Sequence, residues 1–255
     1  MATDALVLQL LGDDPHALAP TFRHWFSSSR RFRTFVEQYQ SKIRSKLRAP
    51  ADAEALQDLL FELAIAHWLL QEKRFQLAYE LQPLRTAPAP DFTVSFTTKL
   101  DFYVEVTRVR ATAEADSADP PGQEALLRKL LYVIAGKLHQ LQAGAPNLLM
   151  IGLASELIAS LGVEEIIKQL KARIESNDVG LLAHSRSRTT GAFFKQYAAL
   201  SGILFYPLRG LPATELAFPR LWLNKAARYP LLTQVQTILR QLPAPPDGRL
   251  VTTKH

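Results

Sequence analysis

The chain has 255 residues, 47% of them hydrophobic, with no cysteine and a formal net charge of +6. That length and apolar content are enough to bury a core, and they exclude global disorder. The absence of cysteine excludes disulfides, thiolate metal sites and a cysteine nucleophile, and fits a reducing cytoplasm. The start, Met1-Ala2-Thr3-Asp4, lacks the basic region of a secretory signal. No apolar run approaches the roughly 18 residues of a membrane span, so no membrane partner is expected. The positive charge favours a polyanionic partner, although an ordinary basic soluble protein would carry it as well.

A short helix is expected over Ala5 to Leu11, followed by a loop marked by Asp13-Asp14-Pro15 and Pro20. Phe32, Phe35, Val36, Tyr39, Ile43 and Leu47 recur at three- and four-residue steps, which predicts one amphipathic helix of about four turns. Residues 21 to 50 carry Arg23, Arg30, Arg31, Arg33, Lys42, Arg44, Lys46 and Arg48 against only Glu37. Their net charge of +7 exceeds the +6 of the whole chain. Such a segment either grips phosphates or forms a solvated helix face. Residues 1–50 are therefore assigned to a basic helical extension.

Ala49-Pro50-Ala51-Asp52 breaks that helix, and Leu56, Leu59, Leu60, Leu63, Ala66, His67 and Leu70 mark the next, with Glu62 at the edge of its apolar stripe. Phe75 to Leu81 reads as a strand and Gln82 to Pro90 as a connection. Pro90-Asp91-Phe92-Thr93-Val94-Ser95-Phe96, a turn over Thr97 to Lys99, and Asp101 to Val109 then form a predicted β-hairpin, since both arms alternate with period two. Phe102, Val104 and Val106 share one face; Tyr103, Glu105 and Thr107 share the other. A carboxylate inside an apolar strand is costly unless it is paired or binds a cation, and two on adjacent strands could share a metal.

Ala111 to Gly122 reads as a loop, and Gln123 to Gln142 as a long helix stopped by Gly144-Ala145-Pro146. Asn147 to Leu153 is a continuous apolar run, as in a strand buried on both faces. Its helical crossover predicts a parallel neighbour in the same sheet. Further expectations are a helix from Val163 to Ile174, a basic serine-rich loop from His184 to Thr190, a helix over Gly191 to Leu200 and a strand over Gly202 to Pro207. Leu216 to Leu223 is ambiguous. Tyr229 to Leu242 reads as a last helix, which closes a core over 51–242 and leaves 243–255 as a tail. No histidine spacing suits a metal site, and neither a nucleophile elbow nor a phosphate-binding glycine loop is present.

Pro90-Asp91 followed by Glu105-Val106-Thr107, in a helix–strand–strand–strand–helix–strand order, resembles the PD-(D/E)XK nuclease superfamily over about residues 55 to 153. The resemblance implies a restriction-endonuclease-like α/β fold: a three-layer α/β/α core around a mixed sheet, with added terminal helices. It implies a Mg²⁺-dependent (or Mn²⁺-dependent) endodeoxyribonuclease in which Asp91 and Glu105 hold the metal, Val106 offers its carbonyl and Glu62 joins from the first helix. The family's strand lysine falls on Thr107, a departure, since threonine supplies no charge. Some related families carry that lysine on the following helix in a Lys-x-x-Gln spacing, which here is similar to Lys137 and Gln140, with Lys129 a second candidate. The implied partner is nucleic acid, DNA first, and homodimerisation stays open.

Each residue has a plainer alternative. Asp91 suits a turn after Pro90. Glu105 suits an ion pair with Arg108 or Lys137, Glu62 a helix boundary, and Lys137 a snorkelling surface position. A nuclease fold without catalysis, binding nucleic acid or protein, is the rival that Thr107 favours.

Overall fold

The computed structural model describes residues 3–12, 16–48, 50–81, 88–97, 100–109, 123–154, 162–208 and 219–243. These residues contain ten helices and six strands. The helices before the sheet are α1 (Thr3–Leu11), α2 (Ala19–Ser28), α3 (Arg30–Gln38), α4 (Gln40–Arg48) and α5 (Ala53–Leu69). Strands β1 (Gln76–Tyr79), β2 (Phe92–Thr97) and β3 (Leu100–Arg108) follow, then α6 (Gln123–Leu138) and β4 (Asn147–Ala154). The chain continues through α7 (Val163–Glu175), α8 (Val179–His184), α9 (Thr190–Tyr197), β5 (Leu200–Leu208), β6 (Arg220–Leu223) and α10 (Thr233–Gln241).

The strands lie in the sheet in chain order, β1 to β6. β1, β2 and β3 pair antiparallel, β3–β4 and β4–β5 pair parallel, and β6 is antiparallel to β5. Helices cover both faces, and the alternation of the strands decides which core each side chain enters. On β4, Leu148 and Met150 join a core with residues of α1–α5 and α10, while Leu149 and Ile151 join a second core with α6–α9. The apolar run at 147–153 is thus a strand covered on both faces, as expected.

The N-terminal helices belong to the first core. Phe22, Trp25, Phe26, Phe32, Phe35, Val36 and Ile43 are buried together with Phe61 and Trp68 of α5 and with Phe92 and Phe102 of the sheet. Two differences from the sequence expectations fall here and three more further along the chain. Helix α2 takes in the end of the expected loop, Ala19 and Pro20, and runs on over residues to which no element was assigned, because Pro20 sits in its first turn, where proline's missing N–H costs nothing. The single helix expected over Phe32 to Leu47 is two, parted at Tyr39, whose ring packs 5.1 Å from Phe35 and 5.9 Å from Tyr79. Helix α6 ends at Leu138, so Gln140 lies in the turn beyond it. The last helix begins at Thr233 and not at Tyr229, and α8 is a short helix that no apolar repeat announced. Leu216 to Leu223 resolves in part as β6; most of the 82–90 connection and of the hairpin turn, the loop at 111–122 and the tail from 244 lie outside the described residues.

Arg31 of α3 fastens this N-terminal unit to the chain that leads into β1. Its guanidinium donates to the carbonyls of Leu70 (2.8 Å), Glu72 (2.5 Å) and Phe75. A charged donor spread over three carbonyls of one turn has no neutral substitute, and lysine lacks the fork. Arg31→Met is expected to lower unfolding stability by about 2 kcal/mol, with Arg31→Lys no better than a partial rescue. Urea denaturation measures this; a loss below about 0.5 kcal/mol would show the contact to be incidental.

Candidate metal and catalytic centre

The hairpin register sets the centre. Phe92 pairs with Val104, so the next rung brings Asp91 beside Glu105. Asp91 is held from two sides. Its Oδ2 accepts the Val106 N–H at 2.7 Å, and its carbonyl accepts the Glu80 N–H at 3.0 Å.

Glu105 is 4% exposed. One oxygen, Oε2, lies 3.3 Å from the Lys137 ammonium; the other, Oε1, is buried without a partner. Burial first, then the charge of Asp91, pushes the Glu105 carboxyl up to about 8, against the pull of Lys137. Lys137 also donates to Gln140 Oε1 at 2.9 Å, so the Lys-x-x-Gln pair survives the end of the helix. Arg108, the other ion-pair partner considered for Glu105, faces away and binds Glu54 (2.6 Å) and Asp58 (3.1 Å) of α5.

Glu62 occupies the opposite flank. Its Oε2 accepts from the Tyr79 hydroxyl at 2.8 Å and from Lys46 at 3.2 Å. Burial, then Asp91, raises its carboxyl to about 7, while Lys46 and Tyr79 oppose that rise. Burial also raises Asp91, opposed by Lys137, the Val106 N–H and Lys46. Asp91 therefore stands between two lysine–carboxylate pairs, Lys137–Glu105 from α6 and Lys46–Glu62 from α4 and α5.

Lys46, Tyr79, Glu80 and Lys42 complete the second flank, and none was assigned to the centre from sequence. Lys46 donates to the Tyr79 hydroxyl at 2.8 Å and to Glu80, whose other oxygen takes Lys42 at 2.6 Å. Burial works against the Lys46 ammonium, but Glu62 and Glu80 outweigh it and raise its pKa. Of the cations of residues 21 to 50, read from sequence as either a phosphate grip or a solvated helix face, these two lysines are already paired, and Arg23 pairs with Asp4 at 2.8 Å. A sequence clue existed, since Lys42 and Lys46 stand four apart and share one helix face.

Lys129 lies two turns before Lys137 on α6, about 12 Å along the axis. Thr107 shares the face of Glu105 on β3 and brings no charge there.

The residues fit a divalent cation. A buried carboxylate oxygen without a partner is costly, and a cation at Glu105 Oε1 would remove that cost. Among the described residues no three His, Asp or Glu side chains close into a cage. Mg²⁺ does not need one, since it keeps several waters and takes one or two carboxylates. Asp91 and Glu105 supply two carboxylates, as that demand requires.

The raised carboxyls also predict a pH dependence. A carboxyl with a raised pKa keeps its proton in the fold after the unfolded chain has lost it, so stability falls as pH climbs from 4.5 to about 8. His67, buried and lowered to about 4, acts in the opposite direction up to 6.5. Without divalent cations, the thermal midpoint should therefore fall between pH 6.5 and 8, and Glu105→Gln should remove most of that fall. Added Mn²⁺ should stabilise more at the upper end of this range, because binding releases the proton. A wild-type profile that is flat without metal would mean that Glu105 is not protonated in the fold.

No protein-family model, no curated protein and no solved structure matches this chain.

Proposed function

We propose that this protein hydrolyses phosphodiester bonds of nucleic acid, DNA first, at a PD-(D/E)XK-type centre that uses Mg²⁺ or Mn²⁺. The observation that carries the reading is the meeting of Asp91, Glu105 and Lys137 around a buried carboxylate oxygen that has no partner. The order α5, β1, β2, β3, α6, β4, with helices on both faces of a mixed sheet, supports a restriction-endonuclease-like core. The lack of cysteine supports a place in the reducing cytoplasm.

Asp91, Glu105 and the Val106 carbonyl would hold the cation. When bound, it would lower the pKa of an attacking water and offset charge developing on the phosphate. Lys137 supplies the charge that Thr107 lacks. Its ammonium is held between Glu105 and Gln140, which fixes it beside the reacting phosphate without flexible search. Glu62, steadied by Lys46 and Tyr79, adds negative charge on the far side of Asp91.

A second reading has its own observation. Glu105 and Glu62 each already have a lysine at 3.3 Å and 3.2 Å, so the carboxylates are met without a metal. That favours a catalytically silent fold which binds nucleic acid or a protein.

Single-turnover cleavage of plasmid DNA with Mg²⁺ or Mn²⁺ separates the two. Lys137→Ala should leave Mn²⁺ binding nearly intact and slow cleavage about 10²–10³-fold, the usual loss for one electrostatic stabiliser. Glu105→Ala should abolish both, and Lys129→Ala should change neither. Activity that survives Lys137→Ala but not Glu105→Ala would remove the lysine from the mechanism. A wild type that cleaves neither DNA nor RNA would leave the silent fold.

A further inference from the structure

The chain's net charge is +6, and within the basic segment at its N-terminus Arg31, Lys42 and Lys46 are already engaged by carbonyls or carboxylates of the protein. A cationic surface lies at the other end of the sheet. Between α7, β6 and α10 runs a groove of about 690 Å³, lined by Lys168, Lys171, Trp222, Lys225, Arg240 and Glu164 among others. Four of these side chains are cations and one is an anion. Lys168 makes a long contact of 3.8 Å with Glu165 across open solvent. Lys171 lies over the Tyr197 ring, 5.1 Å from its centre. Among the described residues no carboxylate pairs with Lys171, Lys225 or Arg240.

Trp222 gives this surface a second property. It sits on β6, the outer strand of the described sheet, and is half-buried along the groove. A half-buried tryptophan on a groove with more cations than anions sets an aromatic side chain beside sites for phosphates. That pairing suits a single strand, whose unstacked bases can lie on the ring while its phosphates meet the cations. A duplex offers the phosphates but keeps its bases stacked. The groove also shares a line with the centre described above. Glu105 pairs with Leu149, Leu149 with Ile203 and Ile203 with Trp222, three strand spacings or about 14 Å.

We propose that the α7–β6–α10 groove is a docking surface for single-stranded nucleic acid, with Trp222 as the stacking platform and Lys168, Lys171, Lys225 and Arg240 as phosphate contacts. It deepens the reading as a nucleic-acid enzyme by naming where a strand is held, but it requires no cleavage and no metal.

The tryptophans make the test direct. Of the three, Trp25 and Trp68 are 4% and 0% exposed, so Trp222 is the one that solvent and ligand reach. Tryptophan fluorescence of the full chain is titrated in EDTA with a single-stranded oligodeoxythymidine, the matching oligoribonucleotide, a duplex of equal length, and polyglutamate. Quenching by the DNA or RNA single strand is expected, with the stronger of the two identifying the sugar preferred. Trp222→Leu should abolish the signal. The combined substitutions Lys168→Glu, Lys225→Glu and Arg240→Glu, all at exposed positions, should weaken binding at least tenfold and reduce the salt slope by about 2. Circular dichroism melting checks that these variants fold, and the three corresponding Gln substitutions serve if they do not. No quenching by any strand would overturn the proposal. So would equal quenching by polyglutamate, which would mark the groove as a site for acidic protein segments. Quenching that persists in a protein without cleavage would sink the nuclease reading alone; cleavage without quenching would sink the groove alone.

Discussion

Glu105 stands inside an apolar strand with 4% of its surface exposed, and water cannot solvate its charge there. Only cations from neighbouring elements can hold it as a carboxylate. Lys137 brings α6 to that task from one face of the sheet. Asp91 meets the same demand at the start of β2, and it feels Lys137 and Lys46 together. The centre is therefore not an appendage to the fold. Helices α4, α5 and α6 converge where they do partly because two strands carry carboxylates that must be compensated.

Much of this was legible in the sequence, and particular residues show why. Period-two alternation in β2 and β3 put Glu105 opposite the apolar face of Val104 and Val106, and proximity in a hairpin put Asp91 beside it. The Lys137–Gln140 spacing foretold a local contact, which a turn preserves as well as a helix does. The i, i+4 spacing of Lys42 and Lys46 marked a shared helix face but not its partners, because Glu62, Tyr79 and Glu80 lie 16, 33 and 34 residues from Lys46, beyond any local pattern. The split at Tyr39 was hidden for a related reason. Its apolar periodicity is that of one helix, and tertiary aromatic contacts with Tyr79 accompany the break. Helix α2 was lost to the opposite error, since Pro20 was taken as loop punctuation although proline also opens helices.

Charge shows how composition can mislead without being wrong. A +7 segment looks like a surface for phosphates when only the sequence is in view. In the fold, Arg31 closes a turn, Lys42 and Lys46 meet the partly buried Glu62 and Glu80, and Arg23 pairs with Asp4 at the surface. A cation that answers a buried carboxylate cannot also meet a phosphate without exposing that carboxylate's cost. A sequence count treats both kinds of cation alike, whereas burial separates them.

Glu80 ties these points together. It is a non-glycine residue at φ 45, a left-handed conformation that costs of order 1–3 kcal/mol and persists only where the surroundings impose it. From there its N–H reaches the Asp91 carbonyl and its carboxylate takes both Lys42 and Lys46. Burial pushes the Glu80 carboxyl up, yet the two lysines outweigh that effect and lower it, so it stays ionised. Lys46 is thereby shared between Glu80 and Glu62. Glu62 and Glu105, raised to about 7 and about 8, hold the protons that the lysines do not neutralise. A divalent cation entering such a centre would exchange for protons and leave the ammonium groups where they are. Lys137 would then remain beside Glu105 and Gln140 with its charge available, which is the condition the proposed hydrolysis needs.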